Sequence, residues 1–322
     1  MIIVGIDGGG TKTEAMAVDT VDGLLGRRVA GPSNLHKLGV QAVSGHIEKL
    51  VRSIVPAAAA DVLVVACMSG LDTGQMRMDL SAALESREAR WTWLVDNDAA
   101  AAWWGAFQGR DAGVVTIAGT GTVSYAQAGE RRARAGGWGA LLGDDGSGYS
   151  LGRGALIAVL RAEDGMAGPT ALSGLLLGAL GVDDAHQIID RVHLHMSVSD
   201  VAALAPLVFA AAEQGDAAAE ELVACAADAL VLQAEAAATQ VLAPGAAGPV
   251  DAAFVGGVLR SRFYERALEK RVAGSSVCRW LKPAAHAAEG AVLLGGHHLG
   301  LPVSWWSSAP AVQPLTTNTE KR

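Results

Sequence analysis

The sequence predicts a duplicated α/β fold of two domains with a large helical insertion in the second half. Three observations lead to this prediction. Strand and helix patterns alternate through the first third of the chain, the same order starts again near residue 113, and each half has a glycine-rich turn after its first apolar strand. With 322 residues, 51% of them apolar, the chain is long enough to bury two cores.

The first half is predicted to begin with three strands and to continue with alternating helices and strands. Residues 2–6 form a short apolar run that ends at Asp7 and a group of glycines. Val43, Ile47 and Leu50 have the spacing of one helix face. The predicted elements are strands at 2–6, 14–19 and 27–31, a helix at 40–55, a strand at 62–68, a helix at 75–84, a strand at 91–95 and a helix at 98–107.

The second half repeats this order around a long helical region. The predicted elements are strands at 113–118, 122–126 and 131–135, helices from 147 to 243, a strand at 252–255, a helix at 262–272, a strand at 277–281 and a helix at 284–299. We therefore predict domains at 1–110 and 111–299. Residues 300–322 are predicted to be a poorly ordered tail, because the segment from Ser304 is rich in Ser, Pro and Thr.

Composition excludes several classes of function. The net charge of −8 makes nonspecific nucleic-acid binding unfavourable. The three cysteines are far apart and form no CxxC pair, so neither a zinc site nor a disulfide framework is predicted. The N-terminus lacks a basic leader region, and the apolar stretch at 222–242 carries Asp228 and Glu235. We expect a cytoplasmic protein without a membrane partner.

The first glycine-rich turn is a candidate phosphate-binding hairpin. It comprises Asp7 and the Gly-Gly-Gly-Thr-Lys-Thr run that follows. It is not a Walker A loop, because Thr11 separates Gly10 from Lys12, and a strand rather than a helix follows. An ordinary glycine hairpin is the alternative. The second turn, at 119–121, has the same setting, so we expect the two halves to present backbone N–H groups to one phosphate chain bound between them.

Five motifs, which include the two glycine turns, resemble in order the motifs of a known family. They lie at residues 5–13, 118–122, 136–149, 255–258 and 282–291. Together they resemble the motifs of N-acetylglucosamine kinases and of the related ATPases that activate benzoyl-CoA reductase, within the BadF/BadG/BcrA/BcrD-type ATPase superfamily. The resemblance implies a ribonuclease H-like fold of the actin/hexokinase/Hsp70 type. It also implies ATP-dependent phosphorylation of an amino sugar, N-acetylglucosamine to its 6-phosphate, by a homodimer.

The resemblance assigns roles to individual residues. Asp98 would be the catalytic base and would also contact the sugar, and Asp7 would hold Mg²⁺ through water. The predicted ATP and phosphate contacts are Gly9, Gly10, Thr11, Lys12, Thr120, Gly121, Gly256 and Gly257. The other predicted sugar contacts are Asn34, Ser69, Gly70, Thr122, Gly137 and Asp144.

Each assignment has a structural alternative. Asp98 and Asp144 could be N-caps of the helices that follow them. Asp7 could cap its own turn, Asn34 could form an Asx-turn, and the threonine hydroxyls could bond within their turns. A catalytic base and a helix cap are compatible roles, although capping bonds would lower the basicity of the carboxylate.

The substrate and the reaction class also have alternatives. Vertebrate members carry Asn where Val123 stands here, so glucosamine, N-acetylmannosamine and N-acetylmuramic acid remain candidate substrates. A reductase activator would carry a cysteine close before its second Gly-Thr-Gly, where this chain has Thr116-Ile117-Ala118. A nucleotide-switched binding protein is the third reading, in which Asp98 would have no role.

Overall fold

The computed structural model describes residues 1–243 and 248–307 and divides them into two compact units. Unit 1 comprises Met1–Gly109 and the chain from Ala284 onward, and unit 2 comprises Arg110–Pro283. The first border lies within one residue of the predicted one. The predicted 300–322 tail lies outside the described residues from 308 onward, and its described part includes a short helix at Ser304–Ser307.

The elements follow in chain order. The first half has β1 (Ile2–Gly8), β2 (Thr13–Asp19), β3 (Gly23–Ala30), α1 (Leu35–Leu38), α2 (Val40–Arg52), β4 (Val62–Met68), α3 (Gly74–Arg87), β5 (Thr92–Asn97) and α4 (Asp98–Phe107). Next come β6 (Ala112–Ala118), β7 (Thr122–Ala128), β8 (Arg131–Gly136), α5 (Gly148–Glu163), α6 (Leu172–Leu180), α7 (Gln187–His195), α8 (Val198–Ala202), α9 (Ala205–Glu213) and α10 (Ala217–Val241). The chain continues with β9 (Val250–Val255), a 3₁₀ turn (Gly257–Arg260), α11 (Arg262–Val272), β10 (Cys278–Trp280), α12 (Ala287–His298) and α13 (Ser304–Ser307).

The two sheets have the same strand order, which confirms the predicted duplication. In unit 1 the order is β3-β2-β1-β4-β5, with an antiparallel meander followed by two strands parallel to β1. In unit 2 the order β10-β9-β6-β7-β8 is the same arrangement built on β6. All seven residues of β4 are buried, as expected of a central parallel strand covered on both faces.

The last helix corrects the predicted domain range of 111–299. Helix α12 packs on β1 and α4, so it completes unit 1 rather than unit 2. Glycines permit the close approach: a Cβ at Gly290 would lie 1.9 Å from the carbonyl oxygen of Ala101, and one at Gly5 would lie 2.5 Å from that of Ala288. Order along the chain does not reveal this return, because the contacts join residues far apart in sequence.

Helix α10 is the core helix of unit 2. Buried residues recur every three or four positions along it, among them Val223, Leu230, Ala234 and Val241. Among the described residues it is the one helix long and apolar enough to cross a membrane, and 44% of its most apolar window is buried inside the protein. It packs against β6, β7 and β8 and thereby reaches the loops that follow those strands.

Candidate active site

The first glycine turn connects β1 to β2 and is open to solvent. The Gly9 N–H donates to the Lys12 carbonyl oxygen at 2.9 Å and closes the turn. Gly10, Thr11 and Lys12 are exposed, and the Lys12 ammonium pairs with Glu14 at 3.0 Å. The four predicted phosphate contacts of this motif therefore lie on one accessible turn.

The second glycine turn, between β6 and β7, is one residue shorter, is also closed by a backbone hydrogen bond, and is covered on one side. The Gly119 N–H donates to the Gly121 carbonyl at 2.9 Å. At the start of α5, the N–H groups of Gly148 and Tyr149 donate to the carbonyls of Gly119 (2.8 Å) and Thr120 (3.2 Å). The start of this helix is thereby fixed against the turn.

The predicted ATP contacts Gly256 and Gly257 lie beside the second turn. Gly256 has φ +121°, and a Cβ there would lie 2.1 Å from the carbonyl oxygen of Ala118, the residue before the turn. Only glycine fits this position. Gly257 is exposed, and a Cβ at this position would have no neighbouring atom within 4 Å. Unit 2 thus brings Thr120, Gly121 and the glycine pair into one region.

Three predicted sugar contacts of unit 1 lie together, and two of them, Asn34 and Ser69, are hydrogen-bonded. The Asn34 amide donates to the Ser69 hydroxyl at 3.2 Å, and the Ser69 N–H donates to the Gly8 carbonyl at 2.7 Å. Gly70 has φ +78°, and a Cβ there would lie 3.3 Å from the Asn34 amide nitrogen. Asn34 also caps α1 by accepting from the Lys37 N–H at 3.2 Å, so the local turn bond is present beside the cross-loop bond.

Asp98 is the first residue of α4, and the structure corrects its predicted alternative role. The N-cap is Asn97, whose side chain accepts from the Ala100 N–H at 2.8 Å. Burial raises the pKa of the half-buried Asp98 carboxyl to about 6, while the Ala99 backbone N–H lowers that pKa and the charge of Asp72 raises it. A carboxylate with this pKa is a competent base near neutral pH.

Asp7 lies at the same sheet edge and has the character of a cation ligand. Burial, followed by the charges of Asp98 and Glu14, raises its pKa to about 7, against a smaller lowering by Lys12. Within residues 1–243 and 248–307, no side chain or backbone group donates a hydrogen bond to this carboxylate, so it does not cap its own turn. Carboxylate oxygens are the ligands that Mg²⁺ prefers, and hydrated Mg²⁺ would relieve the repulsion between Asp7 and Asp98.

Asp96, two residues before the predicted base, is a structural carboxylate. It is buried and accepts from the Arg77 guanidinium at 2.9 Å and from the Asn97 N–H at 2.8 Å. Arg77 also donates to the Val95 carbonyl at 2.9 Å. These bonds fix the end of β5, from which Asp98 follows.

The predicted sugar contacts of unit 2 also meet. The Thr122 N–H donates to Asp144 Oδ1 at 3.1 Å, and Gly137, with φ +73°, packs against Val123. Asp144 is 7% exposed and has φ +63°. Its alternative role as an N-cap is wrong, because Ser147 caps α5. Burial raises the pKa of Asp144, and the Thr122 bond opposes that rise.

Sequence reasoning missed two residues that support this second group. Gln233 on α10 donates to the Asp145 carbonyl at 3.1 Å and to the Thr122 hydroxyl at 3.4 Å. The buried Tyr264 hydroxyl on α11 donates to the Gly146 carbonyl at 2.9 Å. No glycine motif marks either residue. The available signal for Gln233 was an amide within an alanine-rich helix, which Gln240 on the same helix shares.

Comparisons with known proteins agree with this arrangement. The sequence profile described as the BadF/BadG/BcrA/BcrD ATPase family matches residues 4–295. An N-acetyl-D-glucosamine kinase of Dictyostelium discoideum is 34% identical over 230 residues, which are 67% of this chain and 72% of that protein. An N-acetylmuramic acid/N-acetylglucosamine kinase of Clostridium acetobutylicum is 30% identical over 221 residues, or 66% and 72%.

Solved structures support the same fold. A Chromobacterium violaceum protein, assigned provisionally as an N-acetylglucosamine kinase, superposes with a TM-score of 0.74 at 26% identity, over 91% of this chain and 98% of that one. A ROK family glucokinase of Streptomyces griseus, solved with glucose and AMPPNP, gives 0.56 at 19% identity over 91% and 97%, a likeness of fold alone. The predicted actin/hexokinase-type fold is confirmed. The chain belongs to the BadF/BadG/BcrA/BcrD ATPase family.

Proposed function

We propose that this protein is an ATP-dependent sugar kinase that transfers the γ-phosphoryl group of ATP to the 6-hydroxyl of N-acetylglucosamine. The observation that carries the proposal is Asp98. The pKa of its carboxyl group is raised to about 6, and Asn97 rather than Asp98 caps α4. Asp98 lies at the sheet edge where β1, β4 and β5 end. Ser69 and Asp98 follow paired residues of β4 and β5, so a sugar hydroxyl near Asn34 and Ser69 would be within reach of the base.

The proposed reaction is a direct phosphoryl transfer. The sugar oxygen forms a bond to the γ-phosphorus, the bond from that phosphorus to the β,γ-bridging oxygen breaks, and ADP leaves. Asp98 orients the hydroxyl and takes its proton as the bond forms. The turn at Gly9–Lys12 and the turn at Gly119–Gly121 would supply backbone N–H groups and the hydroxyls of Thr11 and Thr120 to the phosphates.

Asp7 is the proposed holder of Mg²⁺, through water. The cation supplies charge neutralisation on the transferring phosphates when it is bound. On the protein side, the Asp7 carboxylate accepts no bond from the described part of the chain and carries unfavourable repulsion from Asp98, which supports a cation-binding role. Lys12 would compensate phosphate charge only after leaving Glu14.

The substrate class is argued from the relatives. Both curated relatives are named as kinases that act on N-acetylglucosamine. N-acetylmuramic acid is a second candidate, because the C. acetobutylicum relative is named for both sugars. Asn34, Asp144 and Gly137 are the proposed contacts that would select an N-acetylated amino sugar. We also propose a cytoplasmic homodimer, on the family resemblance.

ADP formation with a panel of sugars tests this function. The panel is N-acetylglucosamine, N-acetylmuramic acid, N-acetylmannosamine, glucosamine and glucose, each with and without Mg²⁺. We expect ADP formation that requires both Mg²⁺ and sugar, with the highest kcat/KM for N-acetylglucosamine. Equal ATP hydrolysis with and without every sugar would overturn the kinase proposal, whereas a preference for another sugar would overturn only the choice of substrate.

A further inference from the structure

Gln233 reaches from the helical insertion of unit 2 to the group that carries three proposed sugar contacts. Its Nε2 lies 3.1 Å from the Asp145 carbonyl oxygen and 3.4 Å from the Thr122 hydroxyl. The Thr122 hydroxyl itself donates to the same Asp145 carbonyl at 3.2 Å. Asp145 directly follows Asp144, whose carboxylate accepts the Thr122 N–H. One amide therefore contacts both members of the hydrogen bond between the Thr122 hydroxyl and the Asp145 carbonyl.

The other end of the same amide has no partner. A carbonyl oxygen such as that of Asp145 can only accept, so the atom of Gln233 that faces it is the nitrogen. This places Oε1 on the far side, where it is buried without a hydrogen-bond partner. It lies against Gly136, where a Cβ would come within 2.3 Å of it. A buried acceptor without a donor lowers the free energy of unfolding.

Stability alone does not account for glutamine at this position. A methionine of similar length would fill the same space on α10 and would leave no unpaired carbonyl. Gln233 leaves its Oε1 unpaired while its Nε2 makes two contacts, one to the Thr122 hydroxyl and one to the carbonyl of Asp145, next to Asp144.

The loop that carries Asp144 needs such support. Asp144 has φ +63°, a conformation that non-glycine residues seldom adopt. Three other contacts hold the loop: the Thr122 N–H on Asp144, the Thr122 hydroxyl on the Asp145 carbonyl, and the Tyr264 hydroxyl on the Gly146 carbonyl at 2.9 Å. Gln233 adds a bridge from α10 to both members of the Thr122 hydroxyl–Asp145 carbonyl pair, and thereby restrains one proposed sugar contact relative to the loop that carries another.

We propose that Gln233 is a positioning residue for the acceptor sugar, acting through Thr122 and the Asp144–Asp145 backbone. This inference rests on the proposed kinase function. The second glycine turn has its own closing bond from Gly119 to Gly121 and is held by α5, without a contribution from Gln233. Loss of the amide should therefore weaken sugar binding and leave ATP binding and the chemical step nearly unchanged.

The test compares Gln233→Met with Gln240→Met on the same helix. Gln240 lies two turns further along α10, is exposed, and donates only to the Ala236 carbonyl of its own helix at 3.0 Å. For Gln233→Met we expect the KM for N-acetylglucosamine to rise about tenfold, as for the loss of one to two hydrogen bonds. The KM for ATP and kcat should stay within about twofold, and Tm should be unchanged or higher. Gln240→Met should resemble the wild type in all four quantities.

Each remaining outcome contradicts the proposal in a recognisable way. An unchanged KM for the sugar in an active Gln233→Met enzyme would overturn it while leaving the kinase function intact. A fall in Tm, or failure to fold, would show that Gln233 has a structural role instead. Equal rises in the KM values for sugar and ATP would show general disturbance of unit 2. Absence of sugar-dependent ADP formation in the wild type would overturn the proposed function first, and this inference with it.

Discussion

The two glycine turns occupy equivalent places in the two sheets but differ in length and in surroundings. Each is closed by one backbone hydrogen bond, from Gly9 to Lys12 in unit 1 and from Gly119 to Gly121 in unit 2. The first is exposed and lies beside carboxylates whose pKa values are raised. The second is covered by the start of α5, and the nearest aspartate, Asp144, already accepts the backbone N–H of Thr122.

This difference shows that a duplicated fold need not duplicate its chemistry. The backbone bonds to the Asp98 carboxylate come from Asp98 itself and the adjacent Ala99 at the start of α4, whereas Asp144 is joined to the Thr122 N–H on another element. In the proposed mechanism unit 1 supplies the reacting carboxylates, Asp7 and Asp98, and unit 2 supplies sugar contacts at Thr122 and Asp144. Four predictions test or refine the contrast.

The largest effect is expected from Asp98→Asn. Removal of the base should lower kcat by about 10²–10⁴-fold, the usual range for general base catalysis. The free energy of unfolding should not fall, because Asn97 rather than Asp98 caps α4. Steady-state kinetics with a urea titration measures both quantities.

Asp96→Asn is the matched comparison: it breaks a buried ion pair with Arg77 and should lower stability more than kcat. A larger loss of kcat in Asp96→Asn would mean that the catalytic carboxylate is misassigned.

In unit 2, Asp144→Asn should act on binding rather than on chemistry. Asn keeps an oxygen for the Thr122 N–H but lacks the charge, so the KM for sugar should rise roughly 10- to 100-fold, as for a hydrogen bond to a charged group. The value of kcat should change much less. Asp145→Asn is the control, because that side chain is exposed and only its backbone carbonyl is used. Similar effects of the two substitutions would remove the special role of Asp144.

The pH dependence of stability should reveal the burial of Asp7 and its repulsion by Asp98 in unit 1. The pKa of Asp7 rises from 3.8 to about 7 on folding, so its contribution to stability is complete below pH 3.8 and is lost as the pH rises through 7. Asp7→Asn should match the wild type near pH 4 and exceed it at pH 8 by on the order of 2 kcal/mol, after allowance for solvent screening. Urea unfolding at the two pH values measures this. The exposed Asp22→Asn should show no such gain, and a parallel pH profile for Asp7→Asn and the wild type would refute the explanation.

The smallest effect is expected from Asn97→Ala. Loss of the side-chain bond to the Ala100 N–H should lower the free energy of unfolding by about 1 kcal/mol, the usual value of an N-cap. The fall in kcat should be far smaller than that of Asp98→Asn. Thermal unfolding of both variants would separate capping from catalysis, and unchanged stability in Asn97→Ala would place the cap elsewhere.

Periodicity and glycine spacing predicted the repeated strand order well. The three strands of each meander, the buried β4 and the turns at Gly9–Lys12 and Gly119–Gly121 all follow from local patterns. Such patterns report short-range backbone requirements, which a sequence expresses directly. The match weakened at short elements: the strand predicted at 277–281 has only the three residues Cys278–Trp280 in the sheet.

Side-chain roles at helix starts were less predictable. The run Asp96-Asn97-Asp98 offers three good N-cap residues in a row, and the backbone selects Asn97, which has φ −77° and ψ 159°. The same uncertainty applied to Asp144, where Ser147 is the cap. A shift of one residue decides which side chain caps the helix, and propensity does not resolve such a shift.

Long-range contacts could not be predicted from the sequence. Helix α12 returns to β1 and α4, and Gln233 contacts Thr122 across more than a hundred residues, through packing that no local pattern encodes. The signature motifs marked the residues that surround ligands in the family, and the supporting residues on α10 and α11 carry no motif. Their roles follow only from the distances and unpaired atoms of the folded chain.

Phosphoryl transfer to the 6-hydroxyl is tested by phosphorus NMR of a reaction of the wild-type protein with ATP, Mg²⁺ and N-acetylglucosamine. We expect one new phosphomonoester signal that couples to the C6 protons of the sugar and that grows in equal amount to ADP. Release of inorganic phosphate in place of that signal, or an ester at another sugar carbon, would contradict the proposed transfer to the 6-hydroxyl.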